Sequence, residues 1–354
     1  MNIDNTYRKI EKGERINKEE GIFLLKNGDL LVMGELAHNI RMKKNDPHIV
    51  TFVMDTNLNY TNICHSKCSF CAFFKNERDG YTLSVDELKK KVMEARQNGV
   101  NTVLLQGGLN ESLPYSYYLD LIEILVSIPD IHIHAFSPPE IDLMSRKSGK
   151  SIEKVLIDLR KRGLDTIPGG GAEILSERVR KTISPHKISA DRWLEISRQA
   201  HLLGFKTTAT MMFGHIEKEE DIIEHMDGLR KLQDETNGFT AFIMWDFKLG
   251  PTPLSKEVKH PATACEYLRI LSFSRIYLDN FSHIQASASQ GSDVRQTALF
   301  FGADDFGSML LEENVMKAAG FSDHTSTEQV AHIIKDAGFK PALRTTDYKI
   351  IRSL

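Results

Sequence analysis

A parallel α/β barrel is the fold class this chain predicts, and three observations predict it. Short apolar, β-branched runs alternate with amphipathic helical stretches along the sequence. The length of 354 residues fits one such barrel with extensions, and no Pro/Gly/Ser-rich run, repeat or low-complexity block interrupts it. Cysteine-rich and glycine-rich segments fall just after the apolar runs, at the strand ends where this architecture keeps its chemistry.

The elements follow in order. The polar opening, Met1 to Arg15, lacks the apolar core of an export signal, and a helical region runs from Lys18 to Arg41. Strands are expected at residues 49–53, 102–105, 131–136, 165–168, 206–212, 240–245 and 284–287, with an eighth that no clear alternation locates. Helices are expected between them at 84–97, 117–126, 151–162 and 190–203; Ser84 with Glu87 three residues on has the spacing of an N-terminal capping box. Repeated strand-helix units of this length imply a parallel sheet buried on both faces, and seven or eight of them favour a closed or nearly closed barrel. The expected division is 1–47 as an N-terminal helical extension, 48–300 as the barrel and 301–354 as a C-terminal region packed on it.

Composition excludes some function classes. A net charge of −3 gives no basic field to hold nucleic acid, and Lys89 to Lys91 are balanced by Asp86 and Glu87 on one solvated helix face. No apolar run approaches the ~18 residues of a membrane span, so membrane association is not expected. A cytoplasmic location is expected, and its reducing conditions suit the thiols.

Three of the four cysteines form the triplet Cys64-His-Ser-Lys-Cys68-Ser-Phe-Cys71. Three thiolates can hold three irons of a [4Fe-4S] cluster and leave the fourth iron open to a small molecule. Structural zinc normally closes four ligands, and no second knuckle follows; His65 adjoins Cys64 too closely for both to fold easily onto one ion. An odd cluster plus the remote Cys265 does not pair into disulfides, and Cys265 is most simply a small buried helix residue. A noncatalytic iron-sulfur or zinc protein stays open beside a catalytic cluster, although an electron carrier is expected to complete its coordination.

The other strand ends collect unusual segments. Gln106-Gly107-Gly108 follows the second strand, Ser137-Pro138-Pro139-Glu140 the third, and Gly169-Gly170-Gly171-Ala172-Glu173 the fourth, with Arg178 and Arg180 beyond. Met212-Phe213-Gly214-His215 closes the fifth and Trp245-Asp246-Phe247-Lys248 the sixth. One such turn is equally a tight βα loop; recurrence on successive strands points to a site. Strand parity places His132, His134 and Phe136 on one face, where packed core histidines and binding residues are equally good readings.

The triplet, with aromatic Phe70 before its last cysteine, resembles the radical S-adenosylmethionine superfamily. That resemblance implies that the cofactor's amino and carboxylate groups chelate the open iron, and that an electron from the reduced cluster releases methionine and a 5′-deoxyadenosyl radical. Longer runs, among them Asn59-Tyr60-Thr61-Asn62-Ile63-Cys64, His134-Ala135-Phe136-Ser137-Pro138, the segment from Ile167 to Leu175, Ala209 to His215 and Glu312-Glu313-Asn314-Val315, resemble the cyclic dehypoxanthine futalosine synthase family. Its relatives are aminofutalosine synthase and the two F0 synthase components. The resemblance implies a nucleoside-like small-molecule substrate in menaquinone biosynthesis, from whose ribose the adenosyl radical takes the C4′ hydrogen. The sugar radical then adds to the attached benzoate ring, and loss of an electron and a proton restores aromaticity. It also implies a reductant such as flavodoxin or ferredoxin.

Carried over by position, Cys64, Cys68 and Cys71 hold the cluster and Phe70 lies against the adenosyl group. Gly107 and Gly108 receive the methionine amino group, Glu173 takes the cofactor ribose, and Arg178 pairs with a carboxylate. An alternative for Glu173 is a helix N-terminal carboxylate, and for Arg178 a surface ion pair. Ser137, His215 and Gly291 face the substrate, and Tyr60, Asp293 and Glu313 are candidate bases. One segment departs from the family pattern: Ser287-Ala288-Ser289-Gln290-Gly291-Ser292-Asp293 stands where a Ser-Trp-Val-Thr-Gln-Gly-like run is expected. Loss of that aromatic wall implies a divergent cyclase or a paralogue acting on another nucleoside or aromatic compound.

Overall fold

The computed structural model describes residues 1–320 and 325–354. Three helices open the chain, α1 (Ile3–Glu11), α2 (Lys18–Asn27) and α3 (Leu30–Lys44). Eight parallel strands follow: β1 (Ile49–Leu58), β2 (Thr102–Leu105), β3 (His132–Ala135), β4 (Thr166–Ile167), β5 (Lys206–Phe213), β6 (Phe239–Asp246), β7 (His283–Gln285) and β8 (Asp305–Glu313). They neighbour one another in sequence order, and β8 returns to pair with β1, so the barrel is closed. The helices between them are α4 (Val85–Gln97), α5 (Tyr115–Val126), α6 (Pro138–Ser148), α7 (Ile152–Lys161), α8 (Glu177–Ile183), α9 (Ala190–Leu202), α10 (Glu219–Thr236), α11 (Ala264–Tyr277) and α12 (Ser292–Ala298). The chain ends with α13 (Asn314–Ala318), α14 (Thr327–Asp336) and the strands β9 (Lys340–Arg344) and β10 (Ile350–Ser353).

The TIM-like (β/α) fold expected from the sequence is therefore the one observed. Local chemistry starts the helices where the strands end. Ser84 and Glu87 form the expected reciprocal cap on α4, and Ser151, Ser189 and Thr263 accept N–H groups at the starts of α7, α9 and α11. Such caps satisfy donors that a helix start otherwise leaves orphaned.

Two expectations need correction. The closing strand lies at Asp305–Glu313, beyond the boundary drawn at 300, because register shifts and Gly307 at φ +93° break the alternation that would have marked it. Cys265 is exposed in the first turn of α11, not buried. After β8 the chain returns to the barrel: β9 pairs with the first half of β1 on the edge that β2 occupies further along.

The interior is polar toward its N-terminal end. Arg344 donates to Asp305 at 2.9 Å and to Gln285 at 3.2 Å, and Arg275 pairs with Asp304 nearby. Burial pushes the Asp304 carboxyl upward, but Arg275 and His283 outweigh it and hold it at about 2. His132 and His134 both bond Thr166 Oγ1, at 2.6 and 2.8 Å, and burial presses His134 down to about 3. Both are hydrogen-bonded to the same threonine, with His134 buried and His132 partly so, which is the plainer of their two readings.

Asp55, inside β1, is the exception to this pairing. Its Oδ2 accepts from Ser308 Oγ at 2.6 Å, while Oδ1 has no partner among the described residues. Burial raises its pKa to about 7, so the folded state favours the protonated form. The native state then binds more protons than the unfolded chain between the unfolded value and about 7, and stability falls as pH rises across that window, by about 1.4 kcal/mol per pH unit at its steepest. Asp55→Asn removes this dependence: thermal melting should rise more at pH 8 than at pH 5.

Candidate active site

The C-terminal rim of the barrel gathers most of the residues singled out above. The Cys64 to Cys71 loop follows β1 and is pinned by backbone bonds, with Ser69 N–H on the Ile183 carbonyl at 2.9 Å and Cys64 N–H on Lys75 at 3.2 Å. Cys68 is buried, while Cys64 and Cys71 are partly open. Burial pushes the Cys68 thiol up to about 12, and the neighbouring Cys64 and Cys71 add to the shift. The three thiols are thus neighbours. Yet among the described residues no three His, Cys, Asp or Glu side chains converge as ligands of a single ion.

Glu173 sits in the loop after β4 with a left-handed φ of +47°. It precedes α8 by several residues, which removes its helix-terminus reading. Its carboxylate instead pairs with Lys187 at 2.6 Å, and both side chains are almost entirely enclosed. Burial works against the Lys187 ammonium, but the charges of Cys68 and Glu173 prevail and raise its pKa. The same ammonium lies 5.3 Å from the centre of the Phe70 ring, within cation-π range. Lys187, absent from the sequence reading, therefore joins Glu173, Phe70 and the cysteine loop into one unit.

The glycine turn after β2 packs closely on the β1 end. A Cβ on Gly107 would lie 2.5 Å from the Tyr60 ring, and one on Gly108 would run into the Ile63 carbonyl. Ser137, after β3, is buried and bonded to Glu140 Oε2 through both its N–H and its hydroxyl, at 2.7 and 2.6 Å. His215, after β5, is enclosed with Nδ1 3.1 Å from Glu217, and burial lowers its pKa.

Several candidates are placed differently from expectation. Arg178 forms a two-pronged pair with Asp221 and also donates to the Ile216 carbonyl, so its surface ion-pair alternative holds. Tyr60 is a poor base: it donates its proton to Glu140 Oε1 at 2.6 Å, and burial plus the Glu140 charge raise its pKa. Asp293 is exposed in the first turn of α12 and accepts the N–H of Val294, and Gly291 is the exposed N-cap of that helix. Residues just before them turn inward instead. Ser289 and Gln290 are buried and both donate to Asp246 at the end of β6, to which Lys248 also donates at 2.9 Å. Glu313 remains as a candidate base at the end of β8. It accepts from Asn57 and from the Val315 and Met316 N–H groups, while burial raises its pKa.

Comparison with known proteins places this rim in a family. Residues 58–229 match the radical SAM superfamily model, and residues 236–353 match the CofH/MqnC C-terminal region. A cyclic dehypoxanthine futalosine synthase from Halalkalibacterium halodurans is 39% identical over 100% of this chain and 96% of its own length. The chain belongs to the radical SAM superfamily. Other relatives within it divide by reaction. A 5-amino-6-(D-ribitylamino)uracil–L-tyrosine 4-hydroxyphenyl transferase from Methanopyrus kandleri is 39% identical over 89% of this chain and 88% of its own. An aminodeoxyfutalosine synthase from Thermus thermophilus is 38% identical over 97% and 94%. In fold, the radical SAM chain resembles the hydrogenase maturase HydG from Carboxydothermus hydrogenoformans, with a TM-score of 0.75 at 18% identity, covering 98% of this chain and 80% of that one. Members of the superfamily use a [4Fe-4S] cluster and S-adenosylmethionine, and the Cys64, Cys68 and Cys71 triplet of this member is present to hold the cluster.

Lys187→Met should leave Glu173 as an enclosed carboxylate without its cation and lower unfolding free energy by about 3–5 kcal/mol, measured by chemical denaturation. Replacing both partners with apolar residues should cost less than that single change.

Proposed function

We propose that this radical SAM enzyme cyclises dehypoxanthine futalosine to its spirocyclic product, in the cytoplasm, as a step of menaquinone biosynthesis. The observation that carries this reading is the full-length identity to the Halalkalibacterium halodurans synthase. When bound, the reduced cluster and S-adenosylmethionine supply the 5′-deoxyadenosyl radical that abstracts hydrogen from the substrate. Cys64, Cys68 and Cys71 hold the cluster and Phe70 lies against the adenosyl group. Gly107 and Gly108 receive the amino group of the cofactor, and Glu173, oriented by Lys187, takes its ribose. Ser137 and His215 border the substrate. Glu313 accepts the proton that leaves the ring, because its raised pKa brings it closer to neutrality than an exposed carboxylate. A flavodoxin or ferredoxin provides the electron. No helix among the described residues is long and apolar enough to cross a membrane.

A second reading has its own support. The enclosed Asp246, Ser289 and Gln290 cluster occupies the region where an aromatic wall was expected, and this polar lining favours a paralogue acting on a more hydrophilic substrate.

Anaerobically reconstituted protein given dehypoxanthine futalosine, S-adenosylmethionine and dithionite should yield 5′-deoxyadenosine and the cyclised, dehydrogenated product by mass spectrometry. Deoxyadenosine without that product would transfer the proposal to the paralogue. Glu313→Gln should lower kcat for the cyclised product by roughly 10²-fold or more while single-turnover release of deoxyadenosine continues.

A further inference from the structure

The glycine turn after β2 has spent nearly all of its backbone hydrogen-bonding capacity. Its Gln106–Gly107 peptide is held on both edges: Asn59 Nδ2 donates to the Gln106 carbonyl at 3.2 Å, and the Gly107 N–H donates to Glu140 Oε1 at 3.0 Å. The Gly108 N–H donates to the Thr61 carbonyl at 2.9 Å, and the Gly108 carbonyl accepts from the Asn110 N–H at 2.9 Å. Among the described residues no hydrogen bond reaches the Gly107 carbonyl. What the turn has left is an acceptor. Free N–H groups would suit a carboxylate or phosphate, whereas a lone carbonyl suits an incoming N–H.

Glu140 is what sets this polarity. Only 2% exposed, it lies in the first turn of α6 and accepts four hydrogen bonds from three strand ends: the Tyr60 hydroxyl after β1, the Gly107 N–H after β2, and the Ser137 N–H and hydroxyl after β3. Among the described residues no lysine, arginine or histidine pairs with it; burial raises its pKa, and these donors and the start of α6 oppose that shift.

We propose that Glu140 is a positioning residue for the amino group of S-adenosylmethionine, drawing the Gly107 N–H inward so that the glycine turn meets that amino group with an acceptor alone. The inference rests on the reading of Gly107 and Gly108 as the amino-group turn. Glutamine at this position cannot reproduce the arrangement. Whichever way its amide is turned, one of its N–H groups faces the N–H of Gly107 or Ser137.

The test uses reconstituted holoprotein and reads cofactor affinity from the change that S-adenosylmethionine causes in the electron paramagnetic resonance of the reduced cluster. Glu140→Gln should weaken binding by roughly 10-fold or more, with iron and sulfide content unchanged. A cofactor analogue lacking the amino group should bind the variant and the wild type equally. Unchanged affinity for S-adenosylmethionine, or an equal loss for the analogue, overturns the proposal. Should Glu140→Gln take up no cluster, Glu140→Asp decides by the same criteria, since its shortened carboxylate keeps the charge but withdraws from Gly107. Gly107→Ala, which pushes the same turn off Tyr60, distinguishes the role of the turn from that of Glu140. Amino-selective weakening there with none in the Glu140 variants sinks this inference alone, and weakening in neither sinks the reading of the turn as well.

Discussion

Closure of β1 onto β8 is the constraint from which the site follows. β1 pairs along one edge with β8 and along the other with β9 and then β2, so it is the strand where the barrel begins, ends and is braced from below. Parallel strands deliver all their C-terminal ends to one rim. Closure brings the end of β8, with Glu313, back beside Asn57 and the cysteine loop that follows β1. Without that return, the first and last rim segments would lie at opposite edges of an open sheet. The closed rim instead juxtaposes side chains separated by most of the chain's length.

Charge is distributed differently at the two ends of the barrel. At the N-terminal end, Arg344 with Asp305 and Arg275 with Asp304 form enclosed pairs whose charges cancel locally. At the rim Glu173 pairs with Lys187, Asp246 with Lys248 and Asp221 with Arg178, while Glu140 is met by neutral donors. Desolvating a charge is costly unless its surroundings are fully organised, so the lower network favours one packing of the C-terminal strands. The rim uses the same physics to orient peptide groups and carboxylates against one another.

The sequence made the repeating framework legible because local chemistry specifies it. β-Branched runs became strands within a residue or two, except that β1 runs five residues past its expected end to Leu58, and Ser84 with Glu87 became the cap its spacing implied. Position after each strand located the rim segments as well. Glu140 was visible in the same way: Ser137 followed three residues later by Glu140 is a capping-box spacing, and the structure shows that box reaching beyond its own helix to Gly107 and Tyr60. What stayed hidden were contacts made only by tertiary packing. Nothing local in Lys187 announces Glu173, and Asp246 meets Gln290 only because β6 and β7 are neighbours. Asp293 misled for a related reason: sequence proximity to the β7 end does not reveal that α12 begins at Ser292 and carries it outward.

The division among relatives of nearly equal identity has a physical counterpart along the rim. The parts proposed to serve the cofactor lie on the first half of the barrel, from the cysteine loop through the glycine turn and Glu140 to Glu173 and Lys187. The opposite half carries Asp246, Ser289, Gln290 and Glu313, and it is here that the chain departs from the aromatic pattern expected of a cyclase. Radical generation asks the same of the first half whatever the substrate, so overall identity weighs toward features the reactions share. Selectivity depends on the few groups the substrate touches, and a hydrogen-bonding wall discriminates more strongly than an apolar one, because a wrong ligand leaves its polar atoms unmatched. On the proposed reading, the three side chains around Asp246 therefore bear more on which substrate is accepted than most of the matched residues elsewhere.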